Sequence, residues 1–297
     1  MSNMALGLTK GAKLILLSSL CFAIMNVFMK LVGHLPVQEI VFFRGLVMLV
    51  ATIVPLKIQK IPLLGSHHGL LFARGLFGTL ALTLYVWTIQ HIPLATTNTL
   101  QYLSPIFTAL IAYFWLKEKV TPKQIAFFAL CFLGVIMLKG LDSRIDALSL
   151  ILGILSALFS GVAYNCISKL KDKEHPLVII LYFPLVTIPL SGIFCFYEWQ
   201  TPQGLEWLYL LMVGVFTQAA QYAMTKAYQS EEASKISIYV YTGLFYGLIF
   251  GYLVFDETYD VGALLGLLVI MAGVVGSTLS KSEKNNGVNL PKDPHQT

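Results

Sequence analysis

Gln218, Gln221, Tyr222, Thr225 and Gln229 fall at i, i+3, i+4, i+7 and i+11 within an apolar stretch, so a helix through them carries one continuous polar face. Amides and phenols place several donors and acceptors that their own helix cannot satisfy. Inside a bilayer such groups cost free energy unless they meet a partner or a water-filled space. The chemistry this row supports is hydrogen-bonded recognition of a small, polar, flat solute. Thr79, Thr83, Trp87 and Gln90 make a sparser row of the same kind. Thr97, Asn98, Gln101, Tyr102, Ser104 and Thr108 make a third, with Pro105 interrupting the backbone ladder at mid-span. Ser234, Ser237 and Tyr241 make a fourth, and Asn26 and Asn165 are single amides in two further stretches. The competing reading is interhelical hydrogen bonding, worth about 0.6 kcal/mol each. It suits Ser and Thr, which bond back to their own helix, and both readings stay open for Gln101, Gln218, Gln221 and Tyr222.

Charged side chains narrow the chemistry. Arg44 and Arg74 each lie about 10 Å inside an apolar helix at 1.5 Å per residue, where a guanidinium either snorkels to a headgroup or waits for an anion. Lys30 and Lys169 close two further helices and favour their C-terminal dipoles. No acid lies in the middle of a span: Glu39 begins one, and Glu118, Asp256 and Glu257 lie at ends. A basic set without an intramembrane carboxylate points to an anionic or carboxylate-bearing solute, and toward exchange or facilitated transport over proton or sodium coupling, with sodium binding by backbone carbonyls still open.

The elements that position these residues read twice. Shifted by 139 residues, the chain falls on itself: Asn26 on Asn165, Lys30 on Lys169, Gly75 on Gly214, Gln90 on Gln229, Tyr102 on Tyr241, Glu118 on Glu257 and Gly134 on Gly273. Each copy holds five apolar stretches. They run near 12–33, 37–56, 68–90, 94–116 and 122–139, then 147–169, 176–197, 205–228, 233–255 and 260–280. An odd number per copy makes the second enter the bilayer from the opposite face, as in secondary transporters. The expected fold is an all-α membrane protein with ten transmembrane helices in two inverted five-helix repeats. Residues 12–140 form the first repeat and 141–280 the second; residues 1–11 are a short cytoplasmic N-terminus and 281–297 a disordered cytoplasmic tail.

Composition agrees with that reading and removes others. Of the 297 residues 57% are hydrophobic and 12% charged, which no soluble globular class matches. The net charge of +5 is spread through short loops, so no nucleic-acid partner is expected. Lys10, Lys13, Lys57, Lys60, Lys117, Lys119, Lys123, Lys169, Lys171, Lys173, Lys226, Lys235, Lys281, Lys284 and Lys292 share one side against Lys30, Lys139 and Arg144 on the other, so both termini should be cytoplasmic. Cys21, Cys131, Cys166 and Cys195 lie inside apolar stretches and read as small buried hydrophobes. No HExxH, GxSxG or P-loop occurs, so neither an enzyme nor a nucleotide-driven pump has residues to stand on, and no cofactor or metal is implied.

Certain residues carry a resemblance. Asn26-x-x-x-Lys30, Phe43-Arg44, Pro93-Leu94-Ala95 leading to Ser104-Pro105-Ile106-Phe107, and Leu116-Lys117-Glu118-Lys119 followed by Gly134 resemble the EamA-type transporters of the drug/metabolite transporter superfamily. Arg74-Gly75-x-x-Gly78 with Leu116-Lys117-Glu118-Lys119 looks most like the branch that includes animal organic-anion carriers and bacterial S-adenosylmethionine transporters. The resemblance covers about residues 12 to 280. It implies a central cavity lined by the first, third, fourth, sixth, eighth and ninth stretches, on which the polar rows fall. The second repeat departs from the first at Phe183-Pro184, opposite Arg44-Gly45, and at Gly243-Leu244, opposite Ser104-Pro105. The expected activity is alternating-access transport of a small polar metabolite across the inner or plasma membrane. A polytopic receptor or assembly protein, or a channel, is the alternative.

Overall fold

The computed structural model describes residues 9–115, 122–141, 145–170, 173–230, 239, 242–259 and 261–288. Among the described residues eleven α-helices carry the chain: α1 (Lys10–Leu31), α2 (Val37–Ile58), α3 (His68–His91), α4 (Leu94–Gln101), α5 (Ser104–Trp115), α6 (Pro122–Leu141), α7 (Ala147–Leu170), α8 (Pro176–Glu198), α9 (Glu206–Ser230), α10 (Thr242–Phe255) and α11 (Val261–Val288). Five of them, α1, α2, α3, α7 and α8, are long and apolar enough to cross a membrane, and α6, α10 and α11 contain shorter apolar stretches. Large apolar side chains point outward as well as inward. Phe196 is 90% exposed, Phe114 78% and Ile58 76%. A surface this apolar is stable against hydrocarbon and not against water.

Local chemistry sets the helix ends. Thr9 Oγ1 accepts the Ala12 N–H at 3.2 Å and caps α1. Pro36 and Pro93 precede α2 and α4, and Pro176 opens α8, where a missing N–H costs nothing. Asp146 accepts the Leu148 and Ser149 N–H groups ahead of α7, and hydrogen bonds led by Ser149 hold its carboxyl below the usual carboxylate range. The loop before α3 is tied to the loop before α8. Glu174 accepts the Ser66 N–H (2.6 Å), the His67 N–H (2.7 Å) and His67 Nδ1 (2.9 Å). The His67 bonds hold the Glu174 carboxyl below its ordinary range.

The fourth expected stretch is broken. α4 ends at Gln101 and α5 begins at Ser104, with Tyr102 and Leu103 forming a turn between them. A proline at 105 has no N–H to give the carbonyl four residues back, so the ladder loses a bond one turn ahead of it. Of the ninth stretch, 242–255 is helical, and its earlier residues apart from Tyr239 lie outside the described ones.

The large interfaces all join residues 9–141 to residues 145–288: α6 with α11, α1 with α9, α3 with α7, and α2 with α8. Contacts between neighbours in the first half, such as α2 with α3, are thinner. At the α6–α11 crossing the backbones meet. A β-carbon on Gly134 would stand 2.8 Å from Ile270 N, and one on Gly273 would stand 3.0 Å from Cys131 N. Cys131 Sγ, 139 positions from its acceptor, donates to Ile270 O at 3.5 Å. Small residues permit that approach, which is how helices associate where hydrophobic burial offers no gain.

Candidate functional site

Asn26 of α1 and Asn98 of α4 meet in the interior. Asn26 Nδ2 donates to Asn98 Oδ1 at 3.0 Å, and the Tyr85 hydroxyl of α3 donates to the same oxygen at 2.7 Å. Three helices therefore share one acceptor. α10 passes over this cluster at Gly247, where a β-carbon would stand 2.6 Å from Asn98 Nδ2. Among the described residues Asn26 Oδ1 is buried with no partner. Asn165 of α7 behaves alike: its Nδ2 donates to Thr108 O (3.0 Å) and Gly161 O (2.8 Å), while its Oδ1 is buried with no partner among the described residues. Gln218 Oε1 on α9 is another such buried amide oxygen among the described residues. Leaving such atoms unpaired costs about 1–3 kcal/mol each, so a solute that donates to them gains what the empty protein forgoes.

Some nominated residues serve packing. Gln101 Nε2 donates to Ser160 Oγ (2.7 Å) and its Oε1 accepts from Ser156 (3.1 Å), which joins α4 to α7. Thr79 Oγ1 donates back to Gly75 O and contacts Thr187 Oγ1 at 2.6 Å, which joins α3 to α8. Tyr102 fills the space above Gly243, and Gln221 and Tyr102 both have partners. Thr83 and Trp87 border a cleft of about 610 Å³ with Gln38, Gln90, Phe194 and Tyr197. The Trp87 ring stacks on His91 at 3.7 Å. Tyr222 is 58% exposed, with the Lys226 ammonium 5.8 Å from its ring. Tyr241 and the side chain of Thr225 lie outside the described residues.

Arg44 is buried, 7% exposed, and Arg74 is part-buried; the Nε of each is buried without a hydrogen-bond partner among the described residues. Among the described residues neither guanidinium has a carboxylate partner. Arg74 lies 5.1 Å over the Phe183 ring.

Sequence reasoning had Lys30 and Glu257 as separate helix ends, and the structure pairs them. Lys30 Nζ contacts Glu257 Oε1 and also donates to Ile92 O at 3.3 Å. Glu257 accepts the first N–H of α4, at Leu94, with both oxygens (3.1 and 3.0 Å) and the Tyr259 hydroxyl. This latch joins α1, α4 and the segment after α10. The repeat held the signal, since Lys30, Lys169, Glu118 and Glu257 are matched positions. Tyr85, Tyr164 and Thr187 belonged to no row and were not nominated.

The comparisons follow the same division of the chain. The sequence profile of the EamA-like transporter family matches residues 9–139 and again 147–279. The chain is 30% identical over 284 residues to a pseudopaline exporter of Pseudomonas aeruginosa, covering 93% of this chain and 98% of that one. It is 26% identical to human solute carrier family 35 member G1 (90% and 78% covered) and 25% identical to a riboflavin transporter of Vibrio cholerae (93% and 95%). A crystal structure at 18% identity shares the fold, with a TM-score of 0.61 over 91% of this chain and 96% of the other. The all-helical fold, the apolar exterior and the family match over both halves agree: the chain belongs to the EamA-like transporter family, as a multi-pass integral membrane transporter and not an enzyme.

Proposed function

We propose that this protein is a secondary transporter that carries a small, polar, carboxylate-bearing metabolite across the inner (plasma) membrane by alternating access. The observation that carries the reading is the set of buried, unsatisfied polar atoms at Asn26, Arg44, Arg74, Asn165 and Gln218 within an apolar helical shell. Residues 12–140 and 141–280 act as two inverted five-helix repeats, ten spans in all. The packing supports this: a 139-residue shift exchanges the α1–α9 and α3–α7 interfaces and maps α2–α8 and α6–α11 onto themselves. The carboxylate preference rests on the arginines. The relatives, named for pseudopaline and riboflavin, do not single out the organic-anion branch. In this cycle the Lys30–Glu257 latch is the closed outer mouth, and it opens when the halves rock.

Counterflow in proteoliposomes tests the reading. Saturable exchange of a labelled solute is the expected result; linear unsaturated flux would identify a channel, and no flux of any solute a receptor or assembly protein. Topology gives a second expected result. The four native cysteines are buried, so single cysteines at the exposed Gln59 and Gln203 report alone. An impermeant thiol reagent outside the cell should label position 203 and spare position 59. Labelling at 59 from outside would overturn the cytoplasmic placement of both termini.

A further inference from the structure

Arg44 and Arg74 stand on neighbouring helices, α2 and α3, each about 10 Å from the helix start at 1.5 Å per residue. The two guanidiniums are close enough to feel one another's charge, and the Tyr164 phenol on α7 lies within electrostatic range of both. Tyr164 belongs to α7 and the two arginines to α2 and α3, so the three groups draw both halves of the chain to one place, across the packed α3–α7 interface. Among the described residues the two like charges have no acid paired with them, which leaves a net positive interior. Lone buried cations are costly, and proteins ordinarily neutralise them.

The duplicated half shows what the scaffold alone requires. The repeat counterparts of Arg44 and Arg74 are Phe183 and Val213, and both pack in a hydrophobic cluster at 6% and 0% exposure. One copy of the unit is thus built with apolar residues at both places, so the arginines are not there to hold the helices together. Phe183 is the ring beneath Arg74, so the uncharged copy lends the charged one a face to lie on.

We infer that Arg44 and Arg74 are the two anchors of one binding site, and that its ligand is a small anion with two carboxylates, one for each guanidinium. This rests on the transport reading above and names the solute class for it. A monocarboxylate neutralises only one cation and leaves the other bare. A dicarboxylate satisfies both, each through a planar fork that binds carboxylate by two parallel hydrogen bonds.

The test uses the purified full-length protein and a set of plain acids: malonate, succinate and glutarate as dicarboxylates of graded length, propionate as the monocarboxylate and putrescine as the cation. Ligand-induced rise in melting temperature reports binding by mass action. At least one dicarboxylate should bind about 10- to 100-fold more tightly than propionate, as expected for one further charge-assisted contact, and putrescine should not bind. Arg44→Gln and Arg74→Gln should each remove the preference of di- over monocarboxylate. Their unliganded melting temperatures should equal or exceed that of the unaltered protein, because each removes an unpaired buried charge; a structural arginine would lower it. Arg74→Lys keeps charge and loses the fork, so it should weaken dicarboxylate binding by about tenfold. Equal binding of propionate and every dicarboxylate, or an unchanged preference in both glutamine variants, overturns the inference. The two readings fail separately. Saturable counterflow of a neutral or cationic solute with no dicarboxylate binding sinks this inference and leaves the transporter standing; dicarboxylates that bind and never exchange leave the site standing and sink the transporter.

Discussion

Glu257→Ala should lower the stability of the folded protein by about 3–5 kcal/mol, the cost of stripping one partner from a buried ion pair. Glu257 is 9% exposed at the side chain and Lys30 18%, so water cannot replace what the carboxylate supplies. Three groups lose a contact at once: the Lys30 ammonium, which keeps Ile92 O, the Leu94 N–H that opens α4, and the Tyr259 hydroxyl. The ring of Phe255, 5.3 Å from the ammonium, only partly compensates. The backbone also commits to this contact. Asp256 takes a φ of 50° and Glu257 N–H bonds back to Gly251 O at 3.0 Å, which aims the carboxylate inward. Chemical unfolding in detergent measures the loss. Glu257→Gln keeps an acceptor for Leu94 and should lose less, and Lys30→Met combined with Glu257→Leu should lose less than the two single changes added together. A change below about 1 kcal/mol in Glu257→Ala would place the pair among weak surface contacts.

Gln218→Leu should have effects of opposite sign on folding and on function. Gln218 Oε1 is buried and has no partner among the described residues, so a side chain of similar size without polar atoms relieves about 1–3 kcal/mol of unmet hydrogen bonding. The span also becomes more apolar, and insertion is not impaired. A solute that donates to this oxygen loses its bond, and transport should fall by at least about tenfold. Melting temperature and initial counterflow rate, measured on the same preparation, separate the possibilities. A fall in stability with transport intact would make Gln218 part of the helix-to-helix glue. This is the trade expected where a binding site stores unsatisfied polar groups for its ligand.

Helix boundaries were legible because prolines and polar clusters punctuate the apolar runs: stretches expected to begin at 37, 68, 94, 122, 147 and 176 begin at Val37, His68, Leu94, Pro122, Ala147 and Pro176. The break in the fourth stretch was signalled by Pro105, although its place, at Tyr102 and Leu103, depends on where the carbonyl partner is lost. Periodicity also found polar faces. It could not say which members meet each other and which stay open, because that is a matter of partners on other helices. Gln101 looked like Gln218 along the chain, yet Ser156 and Ser160 of α7 occupy the one and nothing among the described residues occupies Oε1 of the other. Tyr85 and Tyr164 are isolated tyrosines in their own helices, and only the fold brings them beside the asparagine pair and the arginines. Glu39, read as a plain helix start, is fully buried and accepts the Gln200 N–H at 3.1 Å, an interaction 161 residues long in sequence.

The interleaving of the halves bears on how the chain is made. Its large interfaces all wait for the second half, so α1 to α6 leave the ribosome and enter lipid with their binding partners still untranslated. During that interval Asn26, Arg44 and Arg74 have no neighbours from the second half and must be tolerated by lipid, water defects or the insertion machinery. Biosynthesis, and the proteolytic surveillance that accompanies it, therefore acts on the interior residues before any solute does.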